Sequence, residues 1–396
     1  MPSPYVFFLH AMITVSSFFL STLLLIACGY SLFTIYAAWR FFRSGPIVTD
    51  AFPPVSLFKP LKGASADLYD NLASFCRLDY PVYQLLCGVR DPHDPAVAVV
   101  ERLQRDFPSR DIVLVVKPET IGSNAKVDTL HCLTAAAAHD IFVISDSDVR
   151  VDPGHLRAII PPLTNPQVGI VTCPYRGGAA APFPALIESL IINTSFSPQV
   201  IVASQVEKTT YAFGATMAVK RHCVAAIGGF PAIADYLADD YYLGHFVSKA
   251  GYEARIVPHV VETNPGVGSI RELFQHQLRW ARTQRNCRPG GYFGTLVTFG
   301  TVWAVVGLLL SNASPVLSFL AWSTILIRLL SVSVVSGIFL QSSLTLKALW
   351  LVPFADLFSF VIWGASLWGN TVQWGEHIFR VQRNGKMVCI GEAPAV

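Results

Sequence analysis

Not one Asp, Glu, Lys or Arg precedes Arg40, and after Arg288 the next four are Arg328, Lys347, Asp356 and Glu376, so almost all fixed charge sits in the middle of the chain. Long stretches almost without charge cannot make the surface of a water-soluble domain, which assigns the stretches flanking the central block to lipid and the block itself to water. The composition agrees, with 52% of the 396 residues apolar. That length still allows one sizeable folded domain beside membrane spans.

Phe7 to Trp39 exceeds the ~20 apolar residues a span requires and ends in Arg40-Phe-Phe-Arg43, a basic flank of the cytoplasmic kind. Met1 to His10 holds no Lys or Arg, so the segment lacks the basic start of a cleaved signal peptide and reads as an anchor. Beyond Gly291, Phe293 to Ser311, Val316 to Phe339 and Ala348 to Gly369 are near spanning length, separated by Asn312-Ala-Ser-Pro315 and Gln341-Ser-Ser. Arg380, Arg383 and Lys386 put the tail on the cytoplasmic side with the central block. An even number of crossings follows, so one stretch lies in the interface or one is broken into two. The expected organisation is a transmembrane anchor over 1–40, a cytoplasmic catalytic domain over 50–290, membrane segments over 291–370 and a cytoplasmic tail over 371–396.

The central block alternates buried strands with helices. Val55 to Phe58, Gln84 to Val89, Ile112 to Val116 and Ile141 to Ser145 read as strands, and Leu68 to Arg77, Ala96 to Phe107, Lys126 to Ala138 and Leu156 to Leu163 as helices. Asp94 and Pro95 suit the start of the second helix. This alternation predicts an α/β domain on a mostly parallel, Rossmann-like sheet. Phe183 to Ser204 is helical in pattern but interrupted by Pro198, and fits either the membrane face or the core. Eight scattered cysteines without a Cys-x-x-Cys argue against zinc and disulfides. The net charge of +3, with no Lys/Arg run, speaks against nucleic acid. Basic flanks of this kind face a phospholipid bilayer.

Four short elements carry the chemistry. Asp146-Ser-Asp148 follows the strand Ile141–Ser145, at the end of a parallel strand where ligands bind, and two carboxylates there can share one hard cation, Mg²⁺ or Mn²⁺. The competing reading is an acidic turn that caps the next helix. Asp91, in Val89-Arg90-Asp91-Pro-His-Asp94-Pro95, can accept a hydrogen bond from a uracil or ribose, or simply make a turn. Ala238-Asp239-Asp240-Tyr241 enters a helix, where paired Asp residues also serve as caps. In His276-Gln-Leu-Arg279-Trp280 the His and Trp share a helical face, Arg279 can pair with a diphosphate and the indole can stack; interfacial anchoring is the alternative.

Their order and spacing resemble the inverting glycosyltransferases of families 2 and 21, and most closely the ceramide glucosyltransferase family with its bacterial branch that glycosylates hopanoid lipids. Phe58-Lys-Pro-Leu-Lys-Gly63, Gly122-Ser-Asn-Ala-Lys126, Val168 to Gly177, Gly228-Gly-Phe230 and Arg279-Trp-Ala-Arg-Thr283 support the likeness, which covers roughly Val55 to Arg285 and extends to the flanking segments. One position departs from the pattern: His276 stands where the family has Gln or Arg.

The resemblance implies a GT-A-type domain flanked by transmembrane helices, a UDP-sugar donor and a lipid acceptor. It places the nucleoside on Asp91, the nucleotide against Lys126, and the metal at Asp146 and Asp148. His276, Arg279 and Trp280 close on the donor, with Asp240 as general base. The sugar, glucose, N-acetylglucosamine or galactose, and the acceptor, ceramide, hopanoid, sterol or diacylglycerol, stay open. A processive polysaccharide synthase would need more spans, and a non-catalytic lipid-binding scaffold would have no use for the acidic positions.

Overall fold

The computed structural model describes residues 4–45, 47, 49–310 and 314–392, with side chains from residue 15 onward. Parts of four expected segments lie outside the described residues: 1–3 of the anchor, 311 of the stretch begun at Phe293, 312–313 of the separator before Pro315, and 393–396 of the tail.

Thirteen strands are described: β1 Val55–Pro60, β2 Tyr83–Val89, β3 Asp111–Val116, β4 Ile141–Ser145, β5 Val149–Arg150, β6 Val168–Thr172, β7 Tyr175–Gly177, β8 Thr216–Lys220, β9 Glu253–Ile256, β10 Val261–Thr263, β11 Thr371–Trp374, β12 His377–Val381 and β13 Met387–Glu392. The main sheet has the order β3-β2-β1-β4-β8-β6-β9. Its pairs are parallel except those of β8, which runs antiparallel to β4 and β6. The central strands β4, β6 and β8 are buried throughout, as a sheet covered on both faces requires. Alternate residues divide between the faces: Leu57, Leu85 and Val143 pack with Leu72 and Val100, while Phe58, Phe142 and Ile144 pack with Val127 and Leu130.

The antiparallel β8 was not anticipated, and it has a consequence for the site. The chain leaves the end of β6, runs through β7 and a long helical rod, and re-enters the sheet from the side where β4 ends, so 173–215 lies over that edge. The expected helix from Leu156 to Leu163 is shorter than predicted, His155–Ile159 followed by a 3₁₀ turn at Pro161–Thr164. Pro161 and Pro162 have no N–H with which to continue the α ladder.

The rod runs Phe183–Ile191, a π turn over Ile192–Phe196, then Ser197–Val206. Pro198 cannot bond to the carbonyl four residues back, Thr194, which instead accepts from Arg328 Nη1 at 3.0 Å. Although apolar and long enough to span, the rod is mostly buried within the protein.

The N-terminal helix, Pro4–Arg43, packs with helices Gly300–Leu310 and Pro315–Val334. Small residues let these backbones approach: a Cβ on Gly300 would sit 3.1 Å from Ala27 and from Thr324. The stretch predicted over Phe293 to Ser311 is not one straight helix, because Pro289–Thr298 and Gly300–Leu310 meet at a 45° bend. The last apolar helix, Val352–Ser366, packs chiefly against helix Ile270–Cys287 and also against helices Phe183–Ile191 and Gly300–Leu310. Strands β11–β13 then form a separate antiparallel sheet.

Candidate active site

The sheet's carboxyl edge gathers the acidic residues. Beneath Asp146 lies Lys59 of β1, fully buried, its ammonium 2.5 Å from the Asp146 carbonyl and 3.9 Å from the centre of the Phe75 ring. Burial pushes Lys59 down to about 7, against the pull of Asp146 and Asp148. Lys59 therefore ties β1 to the β4 terminus at the point where the acidic turn begins.

Lys126 stands in the first turn of helix Ala125–Ala136, which Asn124 caps by accepting from the Lys126 and Val127 amides. Its Nζ lies 2.7 Å from Asp146 Oδ1 and 3.1 Å from Asp239 Oδ2. Burial alone would lower the Lys126 pKa, but Asp146, Asp239 and Asp240 together hold it above the usual lysine range. Asp240 completes the group: Oδ2 accepts from the Gly214 amide and Oδ1 from the Tyr241 amide, each at 2.7 Å. A Cβ on Gly214 would stand 3.2 Å from both Asp146 Oδ2 and Asp240 Oδ2, so a glycine is what lets the two carboxylates flank this backbone. Burial, and then Asp239, push Asp240 up to about 6.

Asp148 differs from its neighbour. Its Oδ2 accepts from Thr263 Oγ at 2.7 Å, but it has no ion-pair partner among the described residues, whereas Asp146 is paired to Lys126. Burial and the adjacent Asp146 raise its pKa. A half-buried carboxylate in this condition fits an oxygen-seeking cation. Among the described residues no three His, Cys, Asp or Glu side chains converge on one point, so any such ion would complete its shell with substrate oxygens and water.

Helix Ile270–Cys287 closes the other side, capped by Ser269, whose hydroxyl accepts from the Glu272 amide. His276 Nδ1 lies 2.6 Å from Oε1 of the fully buried Glu188, and Gln277 Nε2 donates to the same oxygen at 2.9 Å. The imidazole that departs from the family pattern thus has a carboxylate partner inside the rod. Trp280 stands with its ring 4.8 Å from His276 and 6.1 Å from Phe196 of the π turn. Burial lowers Arg279 to about 10, opposed by Glu188, Asp146, Asp239 and Asp240. Its guanidinium makes no protein hydrogen bond among the described residues and lies 5.5 Å from the centre of the Trp374 ring.

The fold therefore brings Lys126, Asp146, Asp148, Asp240 and Arg279 to one region, with His276 and Trp280 at its margin. Asp91 stays apart, exposed at the end of β2, where its carboxylate accepts from the His93 amide in a local turn. Lys59, Glu188 and Trp374 were not foreseen. A lysine in a buried strand and a lone glutamate in the apolar run Phe183-Pro-Ala-Leu-Ile-Glu188 are signals, since a charge in such a run needs a partner.

The sequence matches the model of glycosyl transferase family 21 over residues 19–387. It is 25% identical to ceramide glucosyltransferase 3 of Caenorhabditis elegans over 358 residues, 85% of this chain and 75% of the relative. Ceramide glucosyltransferase 1 of the same organism is 26% identical over 60% of this chain and 51% of the relative. The fold is like that of a mannosyltransferase from Pyrobaculum calidifontis solved with GDP-Man and Mn²⁺, at a TM-score of 0.51 and 20% identity, covering 88% of this chain and 99% of that one. With the model matched over nearly its whole length and the acidic edge in place, the chain belongs to glycosyl transferase family 21.

Proposed function

We propose that this glycosyltransferase moves a hexose from a UDP-sugar onto a lipid hydroxyl, with inversion, at the cytoplasmic face of a membrane. The observation that supports this most is the cluster in which Lys126 joins Asp146 to Asp239 while Asp240 stands alongside, on a domain attached to apolar helices at both ends. Tethering on both sides keeps the site at the height of a lipid hydroxyl and raises its effective concentration.

In this reading the uracil and ribose lie near Asp91 and the diphosphate runs toward Lys126 and Arg279. Asp146 and Asp148 would hold Mg²⁺ or Mn²⁺, which when bound neutralises charge on the diphosphate. Asp240 takes the proton from the acceptor hydroxyl as that oxygen attacks the anomeric carbon, and a carboxyl raised to about 6 is a stronger base than an ordinary aspartate. Lys126 and Arg279 place positive charge where the UDP oxygen accumulates negative charge, and burial strengthens both. One in-line displacement inverts the anomeric centre. His276, fixed by Glu188, and Trp280 line the side facing the membrane helices, where the acceptor would enter.

The relatives' name favours glucose and ceramide; UDP-N-acetylglucosamine with a hydroxylated hopanoid is the other pairing to test. Membranes containing the protein are given labelled UDP-glucose or UDP-N-acetylglucosamine, with ceramide or the hopanoid, with and without EDTA. A glycolipid that disappears with EDTA is expected. A polymer, or no product from either donor, would sink the proposal.

A further inference from the structure

Helix Ile270–Cys287 carries three arginines at three-residue intervals, and two of them are spent on the C-terminal segment. Arg282 donates to the carbonyls of Thr371 and Trp368, and Arg285 to those of Ser366 and Gly369 and to Asn370 Oδ1. These bonds hold the chain where it leaves the last apolar helix and turns at Gly369, φ +74°. The sheet that follows closes Val372, Phe379, Val381 and Met387 over Leu237. The tail sheet and its β12–β13 turn bond to both sides of the acidic pair: Met387 N donates to the Asp235 carbonyl at 2.7 Å, and Tyr242 Oη to that of Asn384 at 3.0 Å. Both flanks of the site, the helix of Arg279 and the approach to Asp239 and Asp240, are thus gripped by the tail.

The third arginine, Arg279, makes no side-chain hydrogen bond among the described residues, and the half-buried Trp374 ring of β11 lies against it at 5.5 Å. Trp350 and Trp368, at 76% and 72% exposed, look outward as interfacial tryptophans do. Trp374 faces the site instead. A guanidinium over an aromatic ring keeps its in-plane N–H groups free for a bidentate anion.

We propose that Trp374 is a positioning residue of the donor site, holding the Arg279 guanidinium ready for the diphosphate of the UDP-sugar. The tail sheet is then part of the active site. The inference rests on the donor reading above. Glu376, at the next turn, pairs with Lys62 at 3.8 Å, but both side chains are largely exposed, so this contact contributes little.

The test uses the full-length protein in detergent, with UDP as the titrant and sugar transfer as the second readout. W374A is expected to weaken UDP binding and raise the donor KM about 5- to 30-fold, with the acceptor KM unchanged. W374F should recover most of the loss, and E376Q should behave as the unsubstituted chain. In an R279A background, adding W374A should cost nothing further. An equal added loss in that background, or unchanged UDP affinity in W374A alone, would overturn the role. If W374A does not fold, W374L keeps the bulk without the π face and carries the same comparison. Failure of the unsubstituted chain to bind UDP would instead remove the donor reading, and this inference with it.

Discussion

At Asp240, burial and the neighbouring Asp239 lift the carboxyl to about 6, so protonation removes a base that an ordinary aspartate would keep. The sign follows: the ionised form is active, and kcat/KM should fall as pH drops through about 6 and level off above it. A flat profile from pH 5 to 8 would exclude Asp240 as the base. Asp240→Asn should abolish transfer while leaving UDP affinity within about threefold, a drop of under 1 kcal/mol; equal loss of UDP binding would move Asp240 to the donor side. Asp146, Asp148 and Asp240 could be picked out in the sequence because each sits in a short acidic motif beside a recognisable strand or helix. Lys59 and Glu188 signal only that a partner is needed, since a single charge in an apolar run does not say which distant group it meets. Ser145 and Asp146 answer for Lys59, and His276 and Gln277 for Glu188.

Among the elements, the rod from Phe183 to Val206 joins the membrane helices to the site. Its π turn offers the Thr194 carbonyl to Arg328, which also pairs with Asp356 through Nη2 at 2.7 Å, while Thr301 Oγ donates to the same carboxylate. Asn193, in the same turn, bonds to the backbone of Gly177 and to the hydroxyls of Ser342 and Thr345. Phe196, which ends the same turn, packs on Tyr175, Phe213 and Trp280. Arg328→Leu leaves Asp356 buried without its cation and should cost about 3–5 kcal/mol, read as earlier thermal inactivation in detergent. Arg328→Leu with Asp356→Leu should restore most of it; no recovery would mean the pair is not the source of the cost. The sequence pattern placed a break at Pro198, but the partner for the freed carbonyl comes from a helix more than a hundred residues away.

For the whole molecule, the tail sheet rests on the catalytic domain, so the two share a side of any bilayer that the helices cross. With the domain in the cytoplasm, Cys389, exposed on β13, should react with an impermeant thiol reagent in inside-out vesicles and be protected in right-side-out ones. The reverse pattern would overturn the orientation. Charge segregation, strand and helix alternation, and the acidic motifs were all legible in the linear chain. Each arises from neighbours close in sequence: lipid rejects charge over a continuous stretch, and a strand end presents the residues that follow it. The antiparallel β8, the bend before Gly300, the pairing of His276 with Glu188 and the arrival of Trp374 on Arg279 came only with the fold. Each depends on which distant segments meet, and burial gives those meetings their strength by removing the water that would otherwise satisfy the same groups.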